Sequence, residues 1–151
     1  MKEPLFSIIL KYALYVAFVS GIALAATLPL TLDRFAVFMT ASPLNPSYRA
    51  FILPFLMIVA IPSLWIVLEM IFMLRTISRG PFVLRNVAAL YRIGIIFLVL
   101  AAAFFVKSLL FLTFLTMVCL LLFICAGLFS FTLAALIRQS VIFREENDLT
   151  I

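Results

Sequence analysis

The chain has 151 residues, of which 68% are hydrophobic and 11% charged, with no histidine. A soluble domain needs about a quarter of its residues charged to cover its surface, so this composition excludes water as the main solvent and indicates one integral membrane domain. The net charge of +5 does not signal direct nucleic-acid binding, because the basic residues flank apolar runs in the manner of the positive-inside rule.

A membrane-crossing helix needs about 20 mostly apolar residues, and four such stretches occur in chain order. The first is 8–30. It contains Ala23-Leu24-Ala25, a small-x-small pattern of the kind signal peptidase cuts, but the apolar run continues past it, which argues against cleavage. Residues 31–49 follow as a turn-rich outer segment with Pro43 and Pro46; Phe35, Val37, Phe38 and Met39 are expected to lie along the membrane interface. The second span is 50–74, with Pro54 and Pro62 inside it as expected kink points. The third is 87–106 and the fourth 114–137. Taken as one helix the last two would run about 75 Å, far beyond one bilayer, so a turn is expected at Lys107 and Ser108. The fold class is therefore all-α, with four transmembrane helices in one bundle.

Lys and Arg set the orientation. Lys2, Lys11, Arg75, Arg79, Arg85, Arg92, Arg138 and Arg144 fall on one side, against Arg34, Arg49 and Lys107 on the other. The excess predicts that both termini are cytoplasmic.

Between the second and third spans lies "RTISRGPFVLRNVAALYRIG". Gly80 ends one helix, and Pro81 suits the first turn of another. Arg85 and Arg92 are seven apart and share a face. The expectation is a short cytoplasmic interfacial helix leading into the third span, with its basic face on anionic headgroups.

Glu69 is the one acid inside a span, where a charge costs a few kcal/mol. It lies near the cytoplasmic edge, within reach of Arg75, Arg79, Arg92 or Arg138. A bundle-closing ion pair, a proton or cation site and a partner contact all remain open for it. Gly21 with Ala25, and Ala126 with Ser130, are small-xxx-small pairs. They predict close packing of the first and fourth helices, against each other or across a homodimer. Thr113, Thr116, Ser130 and Thr132 are expected to satisfy themselves on helix carbonyls.

Half the acids gather at the C-terminal end, as Glu145, Glu146 and Asp148. That is the end where a helix dipole favours cations, so helix stability does not explain them. They could clamp back onto Arg79, Arg85 and Arg92, fray into solvent, or be offered to a partner with Leu149 and Ile151 as apolar anchors.

No chemistry-bearing constellation accompanies these features. Histidine, the commonest general base and metal ligand, is missing. Cys119 and Cys125 are six apart, about 240° round a helix, and read as packing residues. No nucleophile–base pair and no phosphate-binding glycine loop is evident. The expectation is a non-enzymatic protein with no catalytic residue, metal or cofactor.

"GPFVLRNVAALYRIG" and the tail "REENDLTI" together resemble the small bacterial membrane proteins of domain-of-unknown-function family 2975. The resemblance covers essentially the whole chain and implies four membrane helices in the bacterial cytoplasmic membrane. It implies no settled activity. Members are often encoded beside a very short helix-turn-helix DNA-binding protein, which suggests a membrane-side partner or regulator of such a factor. The docking surface expected here comprises Arg79, Gly80, Pro81, Phe82, Arg85, Asn86, Arg92 and Gly94, with Glu145, Glu146, Asn147, Asp148, Leu149, Thr150 and Ile151. The alternative is a small transporter or immunity-type membrane protein that uses Glu69 in a kinked second helix.

Overall fold

A computed structural model describes residues 5–40, 45–77 and 84–148, and of Phe6, Phe38, Met39, Thr40, Ile77, Glu145, Asn147 and Asp148 the backbone alone. Four helices make up this part of the chain: α1 (Leu5–Thr40), α2 (Pro46–Ile77), α3 (Leu84–Leu110) and α4 (Phe114–Asp148). Each contains a stretch long and apolar enough to cross a membrane. The protein is a multi-pass membrane protein of the all-α class.

The helix starts follow from local chemistry. At the head of α2 the Asn45 side chain accepts from the Ser47 amide at 3.1 Å, and Pro46 occupies the first helical position. Asparagine is a strong N-cap, and proline costs nothing where the amide has no helical partner. α2 then runs unbroken through Pro54 and Pro62. Beside the second of these, the Ser63 hydroxyl donates to the Val59 carbonyl at 2.8 Å, the kind of side-chain help that lets membrane helices tolerate proline.

Two outer helices are longer than a bilayer requires. α1 has 36 residues and α4 has 35, each more than 50 Å at roughly 1.5 Å per residue, against a hydrocarbon core of about 30 Å. The segment 31–40, expected as an interfacial loop, is the last part of α1. No Gly or Pro interrupts it before Pro43, so nothing local stops the helix. The turn between α3 and α4 is at Phe111–Thr113, not at Lys107 and Ser108. The separate interfacial helix expected before the third span is not seen either: from Leu84 onward the described chain is one continuous α3.

Among the described residues, close backbone approach occurs only between consecutive helices, so α1 lies on α2, α2 on α3 and α3 on α4. Among the described residues the first and fourth helices do not pack on each other, which corrects the first of the two arrangements expected for their small residues. α3 sits in the middle and is the most buried. Its inward positions recur every seven residues in two adjacent columns: Asn86, Ile93, Leu100 and Lys107, then Val87, Gly94, Ala101 and Ser108. Seven-residue spacing keeps one stripe of a helix facing its neighbour. Ile93 and Leu100 meet Val59 and Ile66 of α2, and Val87 meets Ala134 of α4. Phe55, Phe104 and Phe123 bring rings from three helices together, at 5.3 and 5.2 Å between centroids.

Several small residues serve packing within the chain. A Cβ on Gly94 would come within 2.8 Å of the Phe131 ring, and one on Gly127 would lie 3.3 Å from the Gly94 carbonyl oxygen. Gly21 faces Leu64 in the same way, and Ala25 lines the α1–α2 seam with it. Ser130 is buried.

Candidate functional site

Leu5 and Asp148 lie at one end of this antiparallel array, here the terminal end. Two polar clusters stand out against the apolar wall, one toward each end.

The first cluster joins α2 to α3 near the terminal end. Arg92 donates from Nε to Oε1 of Glu69 at 2.7 Å and from a terminal nitrogen to Oε2 at 2.9 Å. This bidentate fork is the strongest geometry available to a guanidinium and a carboxylate. The Glu69 side chain is 10% exposed and that of Arg92 is 52% exposed. The acid is therefore enclosed, while the base reaches it from the open side along its aliphatic stem. Trp65, one turn earlier on α2, interacts with the same carboxylate, and Arg85 is a second cation within its field. Glu69 thus takes the ion-pair role. Both its oxygens are engaged, and its partner is Arg92 rather than Arg75 or Arg138.

Arg75 lies closer to the terminal end. It donates to the Tyr15 hydroxyl of α1 and packs over the Tyr15 and Phe72 rings at 5.9 and 6.0 Å. It therefore pins α1 to α2.

The second cluster is at the far end, and sequence reasoning missed it. Lys107 is 4% exposed. Its ammonium donates to the hydroxyls of Thr116 and of Thr113, the latter at 3.3 Å, and lies 6.0 Å from the Tyr48 ring centre. The two hydroxyls are also 2.6 Å from each other. Thr113 and Thr116 therefore serve Lys107, correcting the expectation that they bond only to their own helix. Thr132 does bond to its helix, at the Leu128 carbonyl. Lys107 is also in the last turn of α3, where the helix dipole favours a cation. The missed signal was the seven-residue column that places Lys107 in register with Asn86, Ile93 and Leu100.

The expected docking surface is divided by the structure. Asn86 is 2% exposed and Gly94 is buried against Phe131, so neither presents itself to a partner. Arg92 is held by Glu69. Arg85, Arg144 and Glu146 are exposed. The tail acids ride on the end of α4, an unbroken helix that continues to Asp148. Val141 is buried, so this extension is anchored by packing at least that far. Arg79, Gly80, Pro81, Phe82, Leu149, Thr150 and Ile151 lie outside the described residues.

No family model, curated protein or solved structure matches the chain.

Proposed function

We propose that this is a non-enzymatic membrane protein that works by docking a cytoplasmic partner at its terminal end. The observation that carries the reading is the length of α4. The helix continues from Arg138 to Asp148, roughly 16 Å past the predicted span, and ends in charges that its own dipole disfavours. A helical end is a better presenter of such charges than a frayed one, because less ordering entropy is lost on binding. The partner that fits is small and basic. A helix-turn-helix regulator has such a surface, because it must meet DNA phosphate, and the resemblance to family 2975 points to the same class. An acidic helix end that occupies that surface would hold the regulator at the membrane and away from DNA. The Lys and Arg excess beside the second, third and fourth spans supports placing this end in the bacterial cytoplasm.

The test compares the full-length chain with a version ending at Phe143, crosslinked in cells and purified in mild detergent. A small DNA-binding protein recovered with the full chain alone is the expected result. Identical partners from both, at equal expression, would end the docking reading.

A further inference from the structure

We propose that the α2–α3 groove at the terminal end is a binding site for one anionic phospholipid, with the phosphate between Arg75 and Arg85 and an acyl chain against Trp65 and Ile95. This inference is independent of the docking reading, which rests on α4.

Two hollows open on the α2–α3 seam. The first, nearer the terminal end, has a volume of about 320 Å³ and is lined by Phe72, Arg75, Thr76 and Arg85. The second, deeper in the span, has about 420 Å³ and is lined by Ile61, Pro62, Trp65, Arg92, Ile95 and Ile96. Helical register puts them on one side. On α2, Ile61, Trp65, Phe72 and Thr76 follow at spacings of four, seven and four. On α3, Arg85, Arg92 and Ile96 follow at seven and four. Residues at such spacings share a helix face.

The chemistry of the two hollows is that of the two parts of a lipid. The first offers two guanidiniums, the groups that recognise phosphate, while the Thr76 hydroxyl beside them donates to the Phe72 carbonyl at 3.0 Å. Arg75 is oriented by its hydrogen bond to Tyr15. Arg85 stands in the first turn of α3, where a cation works against the helix dipole, so helix stability does not explain it. The second hollow is apolar apart from the stem of Arg92, and its wall is exposed: Ile61, Trp65 and Ile95 are all more than half accessible. The spacing also fits. Arg75 lies 10 residues beyond Trp65 and 13 beyond Pro62, about 15–20 Å along the helix, and one leaflet of hydrocarbon is about 15 Å deep. A phosphate at Arg75 therefore leaves an acyl chain alongside Trp65 and Pro62. Basic pockets between membrane helices on the cytoplasmic side bind anionic headgroups for this reason. The Glu69–Arg92 pair bridges α2 and α3 at this seam, and Arg92 itself lines the second hollow.

The test uses the delipidated full-length protein, reconstituted in nanodiscs of phosphatidylglycerol or phosphatidylcholine and then analysed by native mass spectrometry. The expected result is one retained phosphatidylglycerol per chain and no retained phosphatidylcholine. Arg75→Gln and Arg85→Gln should each weaken retention about five-fold, the worth of one basic residue at a membrane surface. Arg138→Gln, on α4, should leave retention unchanged and shows that charge in general is not being read. Arg85→Lys should keep most of the retention, which separates loss of charge from loss of fold. Equal retention of both lipids, or full displacement by free glycerol phosphate, would overturn the proposal, the latter because no acyl chain would be needed.

Discussion

The two ends of the bundle each hold a cation in low dielectric, and they hold it in different ways. Near the terminal end, Arg92 shares its charge with Glu69 through two hydrogen bonds and stays half-exposed. At the far end, Lys107 is almost wholly buried, and its hydrogen-bond partners among the described residues are the Thr113 and Thr116 hydroxyls. The helix-end carbonyls of α3 and the Tyr48 ring supply the remaining negative potential. The difference teaches where charge is structural. A cation matched by hydroxyls and dipoles has to be covered by protein, and it closes the α3–α4 turn. A cation matched by a carboxylate forms a neutral unit, and the guanidinium keeps a donor face turned outward. The terminal end is thus the one whose paired cation stays accessible.

Breaking the ion pair gives the largest effect. Arg92→Leu leaves an enclosed carboxylate without its partner. Breaking a buried pair costs about 3–5 kcal/mol. Because Arg92 is 52% exposed, a loss of about 2–3 kcal/mol is expected in detergent unfolding, after discounting for screening. The reverse change, Glu69→Leu, should cost less, since the freed arginine can snorkel outward. Equal losses from both would show that the burial asymmetry carries no energy.

Next comes the seam that holds the two ends together. Gly94→Ala drives a methyl group into the Phe131 ring, and overpacking of this kind costs about 1–3 kcal/mol. The paired change Gly94→Ala with Phe131→Leu should recover part of it, as thermal unfolding would show. The far end responds less. Lys107→Met removes the ammonium but leaves Thr113 and Thr116 bonded to each other at 2.6 Å, so a change within about 1 kcal/mol is expected. A loss as large as that from Arg92→Leu would contradict the contrast drawn between the two clusters. The smallest effect belongs to Asp33 and Arg49, paired at 2.9 Å with both side chains nearly half-exposed. Asp33→Asn should shift stability by no more than about 0.5 kcal/mol.

Much of this is legible in the sequence. Hydropathy and length give four spans, because lipid forces backbone groups to bond within each helix. Glu69 stood out because a lone acid in an apolar run is costly, and Arg92 was among its expected partners. The helix ends were less legible. α1 runs on through Asp33 and Arg34 because charges outside the hydrocarbon do not break a helix, and only Gly or Pro would have marked an end. The partner of a small-residue stripe is less legible, because a small-xxx-small pattern says that something packs closely, not which helix does. Asn86 and Gly94 read as docking-surface positions because they follow a Gly-Pro turn on the basic side. Their spacing from Ala101 and Leu100 marks them instead as core positions of α3. The same column would have exposed Lys107, whose charge drew it by default to the surface.

The account depends most on Glu69 being committed to Arg92 and not free for a proton or a transported cation. A double-mutant cycle in detergent, with Glu69→Gln, Arg92→Gln and both together, measures that commitment directly. The predicted result is a coupling of about 1–3 kcal/mol, with the double variant little worse than either single one. Independent, additive losses near zero, with Glu69→Gln as stable as the parent, would contradict it. They would return the acid to the transport reading.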